Sequence, residues 1–128
     1  MFLPTQDFNR HALISANEMR HIGENGVAMR GSTDWVDGRG GNQPRFNEIS
    51  GNMIHHLGLY TKQSCAIFSA VSCQNTISEN IMFHGPRALV NMNDGVSHLH
   101  LHCNPVVRVG LPATRTAKIA RHMLPSSC

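Results

Sequence analysis

One tetrad recurs three times in this chain: Ile14-Ser15-Ala16-Asn17, Ile49-Ser50-Gly51-Asn52 and Ile77-Ser78-Glu79-Asn80. The likeness runs beyond the I-S-x-N core. Met19, Ile54 or Met82 stands two residues past each Asn, His21, His56 or His84 two residues further, and Gly23, Gly58 or Gly85 shortly after; Ala12, Asn47 or Asn75 stands two residues before each Ile. Such a repeat confines the chain to folds in which each unit buries its apolar side against the next. Within a copy the apolar and polar positions alternate, which is the period that sends every second side chain to one face of a strand. Helical repeats would instead show apolar residues at spacings of three and four, and they do not occur here.

The interval between copies changes while the core of the motif does not: 35 residues from 14 to 49, then 28 from 49 to 77. That combination fits a parallel β-helix, whose strands must return to register in every coil while the turns between them are free to swell. The longer interval contains residues 31–45, GSTDWVDGRGGNQPR, whose Gly, Asp, Asn and Pro content reads as an extruded loop. A further strand per coil is expected at Val27, Ala28 and Met29, at Cys65 to Phe68 in CAIF, and at Ala88, Leu89 and Val90. With coils about 4.8 Å apart, Ile14, Ile49 and Ile77 would form an interior stack. Asn17, Asn52 and Asn80, at bends, would form a structural amide ladder that satisfies the backbone at the corner. The expected organisation is all-β: a lead-in over residues 1–10, about three coils over 11–95, and an atypical tail over 96–128.

At 128 residues the chain has room for one domain, and no apolar run approaches the roughly 18 to 20 residues of a membrane span. The opening MFLPTQDFNR lacks the basic start, apolar stretch and cleavage site of a secretion signal. Cys65, Cys73, Cys103 and Cys128 include no pair spaced for a zinc knuckle, and they leave the redox compartment open. The charges are unevenly placed. Up to Asp94 there are seven basic and eight acidic residues, net −1, whereas Arg108, Arg115, Lys118 and Arg121 give the tail +4. Within the tail, TRTAKIARHML over residues 114–124 reads as a short basic helix capped by Thr114 and ended by Pro125. It is either a surface for an anionic partner or an end never selected for packing. Nucleic acid is not the expected partner, because +4 over about 33 residues is modest and no aromatic or Gly residues interleave with the charges.

FNEISGNMIHHLG and SCQNTISENIMFHGPRALVNMNDG resemble the repeat of right-handed parallel β-helix proteins of the pectate-lyase-like superfamily, N-x-I-x-x-N-x-I-x-x-x-G, over about residues 11–95. The resemblance implies a right-handed coil, an extracellular setting, a polysaccharide ligand in a groove on one strand face, and lyase or glycoside hydrolase chemistry. The chain reads as a fragment or abbreviated relative of such a protein, carbohydrate-associated and without assured activity of its own. Its alternative is a non-catalytic structural or interaction solenoid that self-associates through its open edges.

Hydrolysis in this fold needs paired carboxylates, and here Asn75-Thr76-Ile77 stops short of the N-T-D those hydrolases carry, with no Asp-Asp pair. Lyase chemistry would use calcium on hard oxygen ligands, yet no specific residues support a calcium site, and no cofactor or metal is expected. The catalytic candidates that remain are Asp94, His56, Lys62 and Arg87; the substrate-binding candidates are Trp35, Asp34 and Asp37. Trp35 between two carboxylates is a sugar platform, or else a loop Trp folded back over the core. Asp94, in Asn93-Asp94-Gly95, is also a common tight-turn residue. His21, His56 and His84 fall in register, which favours a stacked repeat position. His98, His100 and His102 alternate on one strand face, but His98 and His102 would lie about 13 Å apart along the backbone, too far for one tetrahedral ion.

Overall fold

The computed structural model describes residues 6–32, 42–93, 95–96, 99–102, 106–109 and 120–121. Among them there is no helix, and all pairing between named strands is parallel. Thirteen short strands form three sheets. The first contains β1 (Gln6–Asp7), β4 (Val27–Arg30), β7 (Cys65–Ala70), β10 (Ala88–Asn93) and β13 (Ala120–Arg121), in that order. The second contains β2 (Leu13–Ser15), β5 (Glu48–Ser50), β8 (Thr76–Ser78) and β11 (His100–His102); the third contains β3 (Glu18–Arg20), β6 (Met53–His55), β9 (Ile81–Gly85) and β12 (Val106–Val109). After β1 the chain visits second, third and first sheet in turn, and repeats that circuit layer by layer. Parallel sheets connected this way fit a β-helix or β-solenoid.

The register explains the sequence repeat. Ile14 pairs with Ile49, Ile49 with Ile77, and Ile77 with Leu101, so one interior position is filled by a branched aliphatic residue in every layer. Met19, Ile54 and Met82 form the equivalent column in the third sheet, and Val27, Ile67 and Val90 in the first. These residues belong to one apolar core, with Ile54, Ile67, Ile77 and Met82 fully buried and Ile14 partly buried. Along β2, β3, β5 and β8 the residues that alternate with them are exposed or half-buried, whereas Ala66 and Leu89 of the first sheet are buried in the same core.

Tight corners join the sheets, each turning on a residue with positive φ. His11, Phe46 and Gln74 occupy one corner (φ 56°, 57° and 54°), Ala16, Gly51 and Glu79 the next (55°, 63° and 56°), and His21, His56 and His84 the third (53°, 53° and 50°). Only Gly51 adopts this conformation freely; the left-handed region costs other residues about 1 to 2 kcal/mol each. What offsets that cost is unbroken bonding around the bend: Ala16 N donates to Ser50 O, Gly51 N to Ser78 O, and Glu79 N to His102 O.

An Asn follows the positive-φ residue at two of these corners. Asn17 N and Nδ2 both donate to Asn52 Oδ1, and Asn52 N and Nδ2 to Asn80 Oδ1, at 2.9–3.1 Å. The preceding corner holds a second amide column: Ala12 N donates to Asn47 Oδ1, and Asn47 N and Nδ2 to Asn75 Oδ1, each at 3.0 Å. Its signal in the sequence is the Asn two residues before Ile49 and Ile77.

Two expectations need correction. Ala120 and Arg121, inside the segment read as a basic helix over residues 114–124, are a strand paired with Asn91 and Met92 of β10; the rest of that segment lies outside the described residues. The described part of the tail also adds β11 and β12 to the second and third sheets, so a layer follows the third I-S-x-N copy. The cause is side-chain economy: Leu101 fills the interior position as well as Ile does.

Candidate functional site

The outward face of the third sheet and the corner that follows it carry a cluster of aromatic and basic side chains. Along β3, β6 and β9, Glu18, Met53 and Ile81 form one exposed column. Arg20, His55 and Phe83 form the next, and His55 and Phe83 stack with parallel rings at a centroid distance of 4.6 Å. At the corner, His56 lies 5.3 Å from His21 and 4.6 Å from His84, ring centroid to centroid. The layers of β3, β6 and β9 each present an imidazole here because the positive φ directs each side chain off the same bend.

Proton positions in this cluster follow from its partners. His55 Nε2 lies 3.3 Å from Glu18 Oε1 and His55 Nδ1 lies 2.6 Å from His56 Nδ1. A carboxylate only accepts, so His55 donates through Nε2–H; its Nδ1 then accepts from His56 Nδ1–H, leaving His56 Nε2 with the free lone pair. Arg20 Nη1 lies 3.7 Å from the same Glu18 oxygen. Partial loss of hydration, then the neighbouring His84, His55 and His21, hold the His56 pKa below the ordinary imidazole value.

The lowered value has a consequence for stability. The unfolded chain takes up a proton at His56 at higher pH than the folded chain does, so this contribution is fully present above pH 6.5 and is lost as pH falls through the lower folded value. The melting temperature is expected to fall as pH drops below 6.5, and to fall less in His56→Gln. Equal slopes for the two proteins in a denaturation series would assign the proton uptake to other groups.

Lys62 and Arg87 lie on the connection from this corner to the first sheet. Lys62 Nζ donates to Gly58 O at 3.1 Å, and Arg87 Nη1 donates to Gln63 Oε1 at 2.6 Å, which ties adjacent layers together. Tyr60 is 87% exposed on the same connection and lies against Gly23. His56, Lys62 and Arg87 therefore share one edge of the molecule. Asp94 lies outside the described residues, as do Asp34, Trp35 and Asp37. The contact of His55 with Glu18 spans 37 residues and carries no local signal in the sequence.

Chemically, the corner offers imidazole donors and acceptors, flat ring faces and three fixed positive charges, with Glu18 as the carboxylate in contact with the rings. Among the described residues no three His, Cys, Asp or Glu side chains converge to hold a metal. Cys65 and Cys73 are free and buried, and burial pushes the Cys65 thiol up to about 12, so it supplies no thiolate at neutral pH. No family model, curated protein or solved structure matches this chain. Among the described residues no helix is long and apolar enough to cross a membrane.

Proposed function

We propose that the chain is a right-handed parallel β-helix module, similar to the pectate-lyase-like proteins, that binds an acidic polysaccharide along its imidazole-lined corner. The observation that carries this reading is the row His21, His56 and His84, one ring per layer at 4.6–5.3 Å, beside the exposed Tyr60 and the cations Arg20, Lys62 and Arg87. A linear polymer laid along the stack meets an imidazole in each of three successive layers. Rings supply stacking surface, imidazole N–H groups donate to hydroxyls, and the Arg and Lys heads pair with carboxylates.

Binding rather than turnover is the function these groups support. Glu18 is already engaged by His55 and Arg20, and hydrolysis needs two carboxylates placed across the scissile bond. Calorimetry against a panel of acidic and neutral plant and algal polysaccharides tests the proposal. The acidic polymers are expected to bind, more tightly as pH falls through the imidazole range, and the paired replacement of His56 and Arg87 by Ala should weaken binding about tenfold or more. Absence of heat with every polymer of the panel would defeat this reading.

A further inference from the structure

One layer of the fold is incomplete. The first sheet runs β1-β4-β7-β10-β13, whereas the second and third sheets end at β2 and β3. β1 therefore stands one layer beyond β2 and β3, and among the described residues no strand accompanies it in either of their sheets. What is left is a notch, two strands and one corner long. The residues that border it differ from their counterparts in later layers. Asn17 is exposed where Asn52 and Asn80 are 1% and 0% exposed, Ile14 is half-buried where Ile49 is 1% exposed, and Leu13 is 64% exposed.

The notch also presents hydrogen-bonding groups with a direction. In the amide column at its corner the earlier layer donates and the later one accepts: Asn17 N and Nδ2 to Asn52 Oδ1, Asn52 N and Nδ2 to Asn80 Oδ1. Asn17 Oδ1 is thus an acceptor with no donor among the described residues. Glu48 N donates to Ala12 O and Met53 N to Asn17 O, each one layer back. Leu13 and Glu18 are the register counterparts of Glu48 and Met53, so their N–H groups point into the notch. The column at the preceding corner ends differently, on Ala12, whose side chain holds no acceptor. The chain closes one column and leaves open the one that the notch spans.

We infer that this notch is a docking site for an extended segment of a partner polypeptide, laid parallel to β2 and β3 as strand, corner and strand, with the pattern aliphatic-x-x-Asn-x-aliphatic. The first aliphatic residue covers Ile14 and the second covers Met19. The Asn between them donates N–H and Nδ2 to Asn17 Oδ1, while the segment's carbonyls accept from the Leu13 and Glu18 N–H groups, which is strand addition to an open edge. A whole coil does not fit, because β1 already holds the first-sheet place in that layer. The occupant therefore has the length of residues 13–20 and no strand for the first sheet. This site is independent of what the imidazole corner binds.

A synthetic peptide with the sequence of residues 47–55, NEISGNMIH, carries the pattern and serves as the probe against the full chain. Anisotropy titration of the labelled peptide should give saturable binding. Asn52→Ala in the peptide should weaken it about tenfold or more, because both bonds to Asn17 Oδ1 are lost. Asn17→Ala in the chain should weaken it to a similar degree, and the two replacements together should add little, since they delete the same contact. Disulfide trapping fixes register and sense without relying on the stability of the Asn17 variant. With strands about 4.8 Å apart, Cys in place of the peptide's Ser50 falls beside Ser15→Cys of the chain, a separation a disulfide spans. Cys in place of the peptide's Met53 reaches that position only if the segment docks antiparallel. Absence of saturable binding, equal affinity for the Asn52→Ala peptide, or preferential trapping of the Met53→Cys peptide would overturn the inference.

Discussion

Replacing Asn52 with Ala is expected to destabilise the fold by about 3 to 5 kcal/mol. Asn52 is 1% exposed and bonds to two layers at once: its Nδ2 reaches Ile14 O at 2.9 Å, Ser50 O at 3.1 Å and Asn80 Oδ1 at 2.9 Å, while its Oδ1 accepts from Asn17 N and Nδ2. Truncation strips partners from Asn17 N and Ile14 O, and each buried group left unpaired costs about 1 to 3 kcal/mol. Asn52→Asp should be as damaging, because it keeps the acceptor for Asn17 but sets a carboxylate oxygen against Asn80 Oδ1 and buries a charge. Asn17→Ala supplies the contrast. Asn17 is exposed and donates in one direction only, so its loss should cost about 1 kcal/mol. Urea denaturation of the three variants measures these differences; equal midpoints for Asn17→Ala and Asn52→Ala would mean that the buried ladder does not hold the corners.

Much of this architecture is legible in the sequence because a stacked layer makes the same demand of every copy. An interior position bounded by like positions above and below needs an aliphatic side chain, and a corner that buries its amide needs an Asn, so I-S-x-N recurs while intervening turns drift. The layer of β11 escapes that reading for a physical reason. Leu101 stands in register with Ile77, but Leu replaces Ile, His102 takes the outward place of Ser78, and the interval contracts to 24 residues, from 77 to 101. The inside of a β-layer accepts either aliphatic residue and its outside accepts nearly anything, so little identity survives. Ala117, Ala120 and Leu124, at three and four spacing, then suggest a helix around Ala120, where pairing with β10 prevails over local propensity.

The site divides in the same way. His21, His56 and His84 are visible as a column because they repeat, and the structure brings the rings of His21 and His84 to 5.3 and 4.6 Å from that of His56. The tie from His56 through His55 to Glu18 is made across space between layers, and no spacing in the chain announces it. Lys62 and Arg87 stand out in sequence by charge alone; their common edge with His56 emerges only when Gln63 bonds Arg87 across layers.

Ile49→Ala should remove about 2 to 5 kcal/mol. Ile49 is flanked in register by Ile14 on one side and Ile77 on the other and is 1% exposed, so no solvent and no mobile side chain stands ready to fill the space left by truncation. The neighbours cannot collapse inward either. Their strands are held at fixed spacing by backbone bonds on both edges of β5 and by the amide columns at either end of it, Asn47 to Asn75 and Asn52 to Asn80. A cavity in a layered core is therefore retained, and retained cavity volume is what raises the cost above simple transfer. Ile49→Val, which deletes one methylene, should cost about 0.5 to 1.5 kcal/mol. Ile14→Ala, at the partly buried end of the column, should fall well below Ile49→Ala in a urea titration of the same preparation. If the two alanine variants unfold together, the stack does not carry the stability that its register implies.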